Sequence, residues 1–129
     1  MKAKQLHRVP LSLRAIDILK SMEGLHPELV FPSPRDQVLL SDMVLTTFLR
    51  RVKALSSTPG RLATAHGFRS SFRDWCSEQG YARDLAERAL SHTVQNKVEA
   101  AYHRTDLLDQ RRPMMDTWAQ FVSGDLPTE

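Results

Sequence analysis

Residues 64–75 read TAHGFRSSFRDW, and the reading of this stretch decides the fold. Thr64 to Gly67 offer a helix start, and Phe68, Phe72, Trp75 and Cys76 follow at intervals of three and four, which gathers side chains on one face of an α-helix. Gly80 supplies the stop, because glycine accepts the left-handed backbone on which helices end. The spacing predicts a helix from about residues 64–67 to Gln79 with those four side chains buried. His66 and Arg69 lie in the same stretch, three residues apart.

Working outward, the downstream chain is helical in pattern. Residues 82–90, ARDLAERAL, predict a short helix with Leu85, Ala89 and Leu90 inward. Residues 90–104, LSHTVQNKVEAAYHR, predict a helix over about 95–103, with Val98, Ala101 and Tyr102 at helical spacing. A last helix carries Met114, Met115, Trp118, Phe121 and Val122 as its apolar residues, and residues 124–129 read as a frayed end. Upstream, Ser41 or Asp42 opens a helix with Val44, Phe48, Val52 and Leu55 on one face, and SSTPG closes it with a turn. Residues 25–37 hold three prolines around a short extended LVF, an irregular connection with a brief strand. Ser12 caps a helix with Leu13, Ile16, Leu19 and Met22 as its stripe, ending near Gly24. Residues 4–10 read as an edge strand whose partner would lie before residue 1. The expected fold class is mainly α with a small N-terminal β element.

A chain of 129 residues fits one domain with a core of its own, and 41% apolar with 26% charged residues is the balance of a soluble globular protein. The single cysteine, Cys76, forms no internal disulfide, no run approaches the roughly 20 apolar residues of a membrane span, and no apolar segment follows the basic start as in a signal peptide. A reducing cytoplasm is the expected location. The net charge of +3 is unevenly spread: between Asp42 and Asp74 there is no acid, yet Arg50, Arg51, Lys53, Arg61, Arg69 and Arg73 all fall there. Such a segment suits a polyanion, or is simply a solvated basic face. A metal site from Cys76, His92 and His103 is not expected, because their gaps match no usual zinc spacing.

Two stretches together, TAHGFRSSFRDW and LSHTVQNKVEAAYHR, resemble the catalytic domain of the tyrosine recombinases, and in particular the integrases of prophages and other integrative elements. That family carries a His-x-x-Arg box, then a Leu-Gly-His box, then a nucleophilic tyrosine about ten residues later. Here these are His66 to Arg69, Leu90-Ser91-His92, and Tyr102. A family lysine on a β-hairpin turn lies about eight residues before a VPL strand end, which points to Lys2, with Lys4 as its rival. Two departures stand out. Ser91 replaces the more common glycine, a small-for-small change expected to be tolerated. The family's first catalytic arginine and its core-binding domain lie upstream of the hairpin, so the chain is expected to be a C-terminal catalytic domain truncated at its N-terminus.

The resemblance implies a metal-free and cofactor-free transesterification. Tyr102 attacks a DNA phosphodiester, Arg69 and His92 donate to the phosphate oxygens, His66 positions the phosphate or manages the tyrosine proton, and Lys2 protonates the leaving 5′ oxygen. Arg50, Arg51, Lys53, Arg61 and Arg73 are the expected DNA-backbone contacts. The implied partners are double-stranded attachment sites and, for the full-length protein, a homotetramer on DNA, with the tail from Met114 to Val122 a candidate either for exchange between protomers or, equally, for folding back on its own domain. The isolated fragment is expected to be inactive. The competing reading is a DNA-binding module that keeps the fold without catalysis. Taken singly, each of these residues is more often structural: a lone histidine caps or faces solvent, and a tyrosine at helical spacing lines a core. Their fixed order and spacing favour the catalytic reading.

Overall fold

The hydroxyl of Ser12 accepts the backbone N–H of Ala15 at 3.2 Å and so satisfies one of the donors that a helix start leaves open. Helix α1 follows over Leu13–Ser21. The structure, a computed structural model, describes residues 6–35, 37–91 and 105–124. Four more helices are found among them: α2 (Val44–Arg51), α3 (Gly67–Glu78), α4 (Arg83–Ala89) and α5 (Leu108–Ser123). The mainly helical expectation is met. None of these helices is long and apolar enough to cross a membrane. The chain divides into two compact units, one of Ile16–Ser71 and one of Met1–Ala15 with Phe72–Glu129.

In the Ile16–Ser71 unit, α1 gives way to Gly24, whose φ of 86° is the expected stop. His26 then organises the next turn: its Nδ1 accepts the backbone N–H groups of Glu28 (3.1 Å) and Leu29 (2.9 Å), which places the ring proton on Nε2. The brief strand expected in this connection is one antiparallel bridge, Pro32 with Leu39. Ser41 opens the next helix, its carbonyl accepting from Val44 N–H at 3.1 Å and its hydroxyl from Met43 N–H at 3.1 Å. The apolar face assigned to α2 is a correction. Val44, Phe48, Val52 and Leu55 are all exposed, and Leu49 is the residue buried. Periodicity located the helix, but a helix of eight residues has apolar side chains on more than one side, and its neighbours choose which is covered.

The other unit holds the core. Phe72, Trp75 and Cys76 of α3, Leu85 and Ala86 of α4, and Met114 of α5 are buried together. Trp75 is the hub, with ring centroids 6.2 Å from Phe72, 5.5 Å from Tyr81, 5.2 Å from Trp118 and 6.1 Å from Phe121. Trp118 stands edge-on to Phe72 at 5.2 Å, the arrangement that ring quadrupoles favour. Phe68, expected in this core, is exposed because it sits in the first turn of α3, ahead of the packed part of the helix. Burial pushes the Cys76 thiol up to about 11, so it stays protonated and packs as a small apolar group, 3.9 Å from the Met114 sulfur.

The N-terminal β element is also corrected: residues 6–10 form no strand among the described residues. Hydrogen bonds to side chains hold this segment instead. Arg8 grips the Asp106 carboxylate with Nε to Oδ2 at 2.7 Å and Nη2 to Oδ1 at 2.8 Å. Arg111, in the first turn of α5 and buried, donates from Nη2 to the Arg8 carbonyl at 2.6 Å and from Nη1 to the Asp106 carbonyl at 3.3 Å. Lys2, Lys4, the helix expected over 95–103 and residues 125–129 lie outside the described residues.

Two outcomes follow. Met114→Ala removes a side chain with no solvent exposure and should cost about 2–5 kcal/mol in urea unfolding. The hydrogen bonds and charge of Arg8 hold the Asp106 carboxyl down to about 2 from its ordinary 3.8. A depressed carboxyl stabilises the fold above its unfolded value and loses that contribution as pH falls through the folded one. Stability should therefore drop between about pH 4 and pH 2, and Arg8→Gln should flatten that limb when unfolding is followed against pH.

Candidate nucleic-acid interface and active-site residues

The basic residues of α2 are placed by how the helix ends. Arg50 and Arg51 occupy its last turn, where cations suit the negative end of the helix dipole. Lys53 then takes φ 51°, and the N–H groups of Lys53 and Ala54 bond back to the carbonyls of Arg50 (3.2 Å) and Leu49 (3.0 Å), a Schellman termination. A short hairpin follows. Ala63 N–H donates to the Ala54 carbonyl at 2.8 Å, Ser56 N–H donates to the Arg61 carbonyl at 3.0 Å, and Leu55 and Leu62 form a bridge. The sequence marked SSTPG as a turn, and the structure adds that its flanks pair. Arg50, Arg51, Lys53 and Arg61 are exposed, all in the Ile16–Ser71 unit, with no ion pair among the described residues. Arg73 differs: its guanidinium lies 2.9 Å from the Glu87 carboxylate, so its charge is locally compensated.

The hairpin leads into the start of α3. Thr64 turns the chain, with its carbonyl and its hydroxyl both accepting Gly67 N–H, at 3.1 Å and 3.0 Å. A Cβ on Gly67 would meet that hydroxyl at 3.1 Å, tighter than a relaxed contact, which favours glycine here. His66, exposed, and Arg69, half-buried, flank this turn at a spacing of three, so they are neighbours along one edge of the helix start. Of the expected catalytic set, the described residues bring together these two. Tyr102, His92 and Lys2 lie outside them.

Ser91 explains the small residue of the second box. It sits just past the end of α4 at φ 56°, and its N–H bonds to the Arg88 carbonyl at 3.1 Å. Gly80 does the same job after α3 with φ 80°, its N–H bonded to the Ser77 carbonyl at 3.1 Å. The position therefore asks for a left-handed backbone as well as small size, and serine carries a strain there that glycine would not.

The sequence reading missed the Arg8–Asp106–Arg111 cluster. Arg111 stands beside Arg112 and reads as part of a solvated basic pair, yet it lies three residues before Met114 on the apolar stripe, and that register was the available signal. Burial lowers the Arg111 pKa, Asp106 opposes the shift, and Arg8 and Arg88 add to it. Among the described residues its Nε is buried without a hydrogen-bond partner.

A mainly helical domain carrying an exposed basic helix end and hairpin is the class this architecture defines. Comparison with known proteins narrows it. Over 127 residues the chain is 37% identical to prophage integrase IntA of Escherichia coli, covering 96% of this chain and 30% of that protein. It is 36% identical over 127 residues to the integrase of Enterobacteria phage P4, covering 95% of this chain and 28% of that protein. It is 32% identical over 129 residues to prophage integrase IntZ of Escherichia coli, covering 98% and 31%. The chain is thus similar to phage and prophage integrases over nearly its whole length, and it spans just under a third of the length of these relatives. No family model matches the sequence, and no solved structure matches it.

Ser91→Gly should raise stability by about 0.5–1 kcal/mol, the relief of left-handed strain less the entropy that glycine loses on folding. Chemical denaturation of the two proteins checks this, and an unchanged or lower midpoint would contradict the strain.

Proposed function

We propose that the chain is the C-terminal catalytic part of a tyrosine-type site-specific recombinase, which integrates DNA by cleaving and rejoining strands through a 3′-phosphotyrosine. The observation that carries this reading is the order His66-x-x-Arg69, Leu90-Ser91-His92, Tyr102 in a chain homologous to integrases. Local geometry supports it, with His66 and Arg69 adjacent at the start of α3 and Leu90 and Ser91 of the second box at the end of α4.

In this mechanism the Tyr102 oxygen attacks the scissile phosphorus in line, while the bond to the 5′ oxygen breaks and that oxygen takes a proton from Lys2 or its rival Lys4. The products are a 3′-phosphotyrosine and a free 5′ hydroxyl. Attack by the 5′ hydroxyl of a second strand reverses the step and releases the tyrosine, so the bond is conserved and no cofactor is consumed. A free tyrosine titrates at about 10, so Tyr102 requires help in losing its proton, and His66 either takes on that task or positions the phosphate. Arg69 and His92 hold the non-bridging oxygens as charge grows there, and loss of one such donor commonly costs roughly 10² to 10³ in rate. Arg50, Arg51, Lys53 and Arg61 hold the DNA backbone. Arg73 joins them with a charge partly compensated by Glu87.

The whole protein, in this reading, works as a tetramer on double-stranded attachment sites in the cytoplasm. An upstream core-binding domain and a further catalytic arginine complete it. Exchange of α5 between protomers would have to carry Met114 and Arg111 into an equivalent seat on the neighbour, because in this chain α5 packs on its own unit.

The test is the full-length protein on a nicked suicide substrate carrying its attachment site. A covalent protein–DNA adduct that Tyr102→Phe abolishes is expected. An adduct surviving that substitution excludes this nucleophile, and no adduct from the intact protein favours a binding module without catalysis. Neutralising Arg50, Arg51, Lys53 and Arg61 one at a time should reduce the slope of log affinity against log salt by about 0.9 for each phosphate that is no longer neutralised.

A further inference from the structure

We infer that Arg8, Asp106 and Arg111 form a positioning clamp that fixes the ends of the two chain segments carrying the proposed general acid and nucleophile. The clamp itself is fully described by the structure, and its catalytic role rests on the reading above.

The geometry is that of a closed ring. The Arg8 side chain holds the Asp106 carboxylate in a two-point fork, 2.7 and 2.8 Å, and the Arg8 carbonyl receives Arg111 Nη2 at 2.6 Å. Arg111 Nη1 then returns to the Asp106 carbonyl at 3.3 Å. The tie joins positions 98 and 103 residues apart in sequence. Such a double tie restrains orientation as well as distance, because a guanidinium fork meeting a carboxylate permits little rotation.

Local turns stiffen the Asp106 side of the ring. The Thr105 hydroxyl accepts Leu107 N–H at 3.2 Å, Asp106 Oδ1 accepts Leu108 N–H at 3.3 Å, and Leu107 is held at φ 54° as it enters α5. Arg111 is buried and Met114, one turn on, is sealed in the core, so the ring is anchored to the packed body of its unit rather than to the surface.

What the ring anchors follows from the sequence. Tyr102 lies four residues before Asp106, and Lys2 and its rival Lys4 lie six and four residues before Arg8. Even a fully extended chain limits the shorter spans to about 14 Å and the longer one to about 21 Å. Two groups that act on opposite sides of one phosphorus, one attacking and one protonating the leaving oxygen, are thus tethered to the same four hydrogen bonds. In-line transfer depends on holding such groups to within a fraction of an ångström, and a loosened tether lowers the rate of the chemical step while leaving DNA affinity to the basic residues of the other unit.

The experiment uses Asp106→Asn and Arg8→Gln in the full-length protein, both at partly exposed positions. Three readouts are taken: single-turnover adduct formation on the nicked substrate, DNA affinity, and amide hydrogen exchange. Expected are a fall of about 10-fold or more in adduct rate with affinity within about 2-fold, and exchange at least about 10-fold faster in peptides covering 3–9 and 99–107 while those covering 72–76 and 114–118 keep their protection. Adduct formation at the wild-type rate, or unchanged exchange in the two flanking peptides, overturns the clamp. A uniform rise in exchange across the core would show general destabilisation and also overturn it. If the wild type itself gives no adduct that depends on Tyr102, the nucleophile reading fails and takes the catalytic role of the clamp with it, an outcome recognised because the exchange pattern still decides whether the tether exists.

Discussion

The packing of α5 back over Trp75 is the contact on which the rest of this unit depends. Trp75 has only α3 and α4 as near neighbours in sequence, and two short helices cannot enclose an indole. Trp118 and Phe121 complete the enclosure from α5, and Met114 fills the space beside Cys76. An aromatic cluster of this size contributes stability through area removed from water and through ring geometry together. The same docking brings Arg111 to the Arg8 carbonyl, so α5 links the core to the N-terminal segment.

Helix endings matter as much as helix faces here. Gly80, Lys53 and Ser91 all take a left-handed backbone just past a helix, and each determines the direction in which a functionally interesting segment leaves. After α2 the exit leads to the basic hairpin, and after α4 it leads to His92. Position 91 takes φ 56°, a backbone that glycine adopts without penalty. Serine there carries a left-handed strain.

Much of this was legible in the sequence because helix boundaries are local chemistry. Ser12, Ser41, Gly24 and Gly80 mark starts and stops where the structure has them, and the Trp75–Cys76–Met114 core lies on predicted stripes. Three features were not legible, each for a physical reason. The covered side of α2 depends on neighbours that periodicity does not identify, so Leu49 was missed and Phe48 wrongly assigned to the interior. Residues 6–10 look like a strand by composition, but arginine side chains rather than a ladder hold them. Arg111 is a cation on an apolar stripe, stabilised by carbonyls that are 5 and 103 residues away in sequence, and the longer of these ties has no local signature. Of the candidate site, the His66–Arg69 pair and the setting of Ser91 follow from local helix geometry, whereas His92, Tyr102 and Lys2 lie outside the described residues.

The central claim, that α5 is an integral wall of its own unit, is tested most directly by ending the chain at residue 107 and recording the near-ultraviolet circular dichroism of its remaining tryptophan, Trp75. Loss of that signal and of cooperative unfolding is expected, with both restored on adding a peptide of residues 108–123. A chain ending at 107 that keeps the signal and a sharp transition unaided would contradict it.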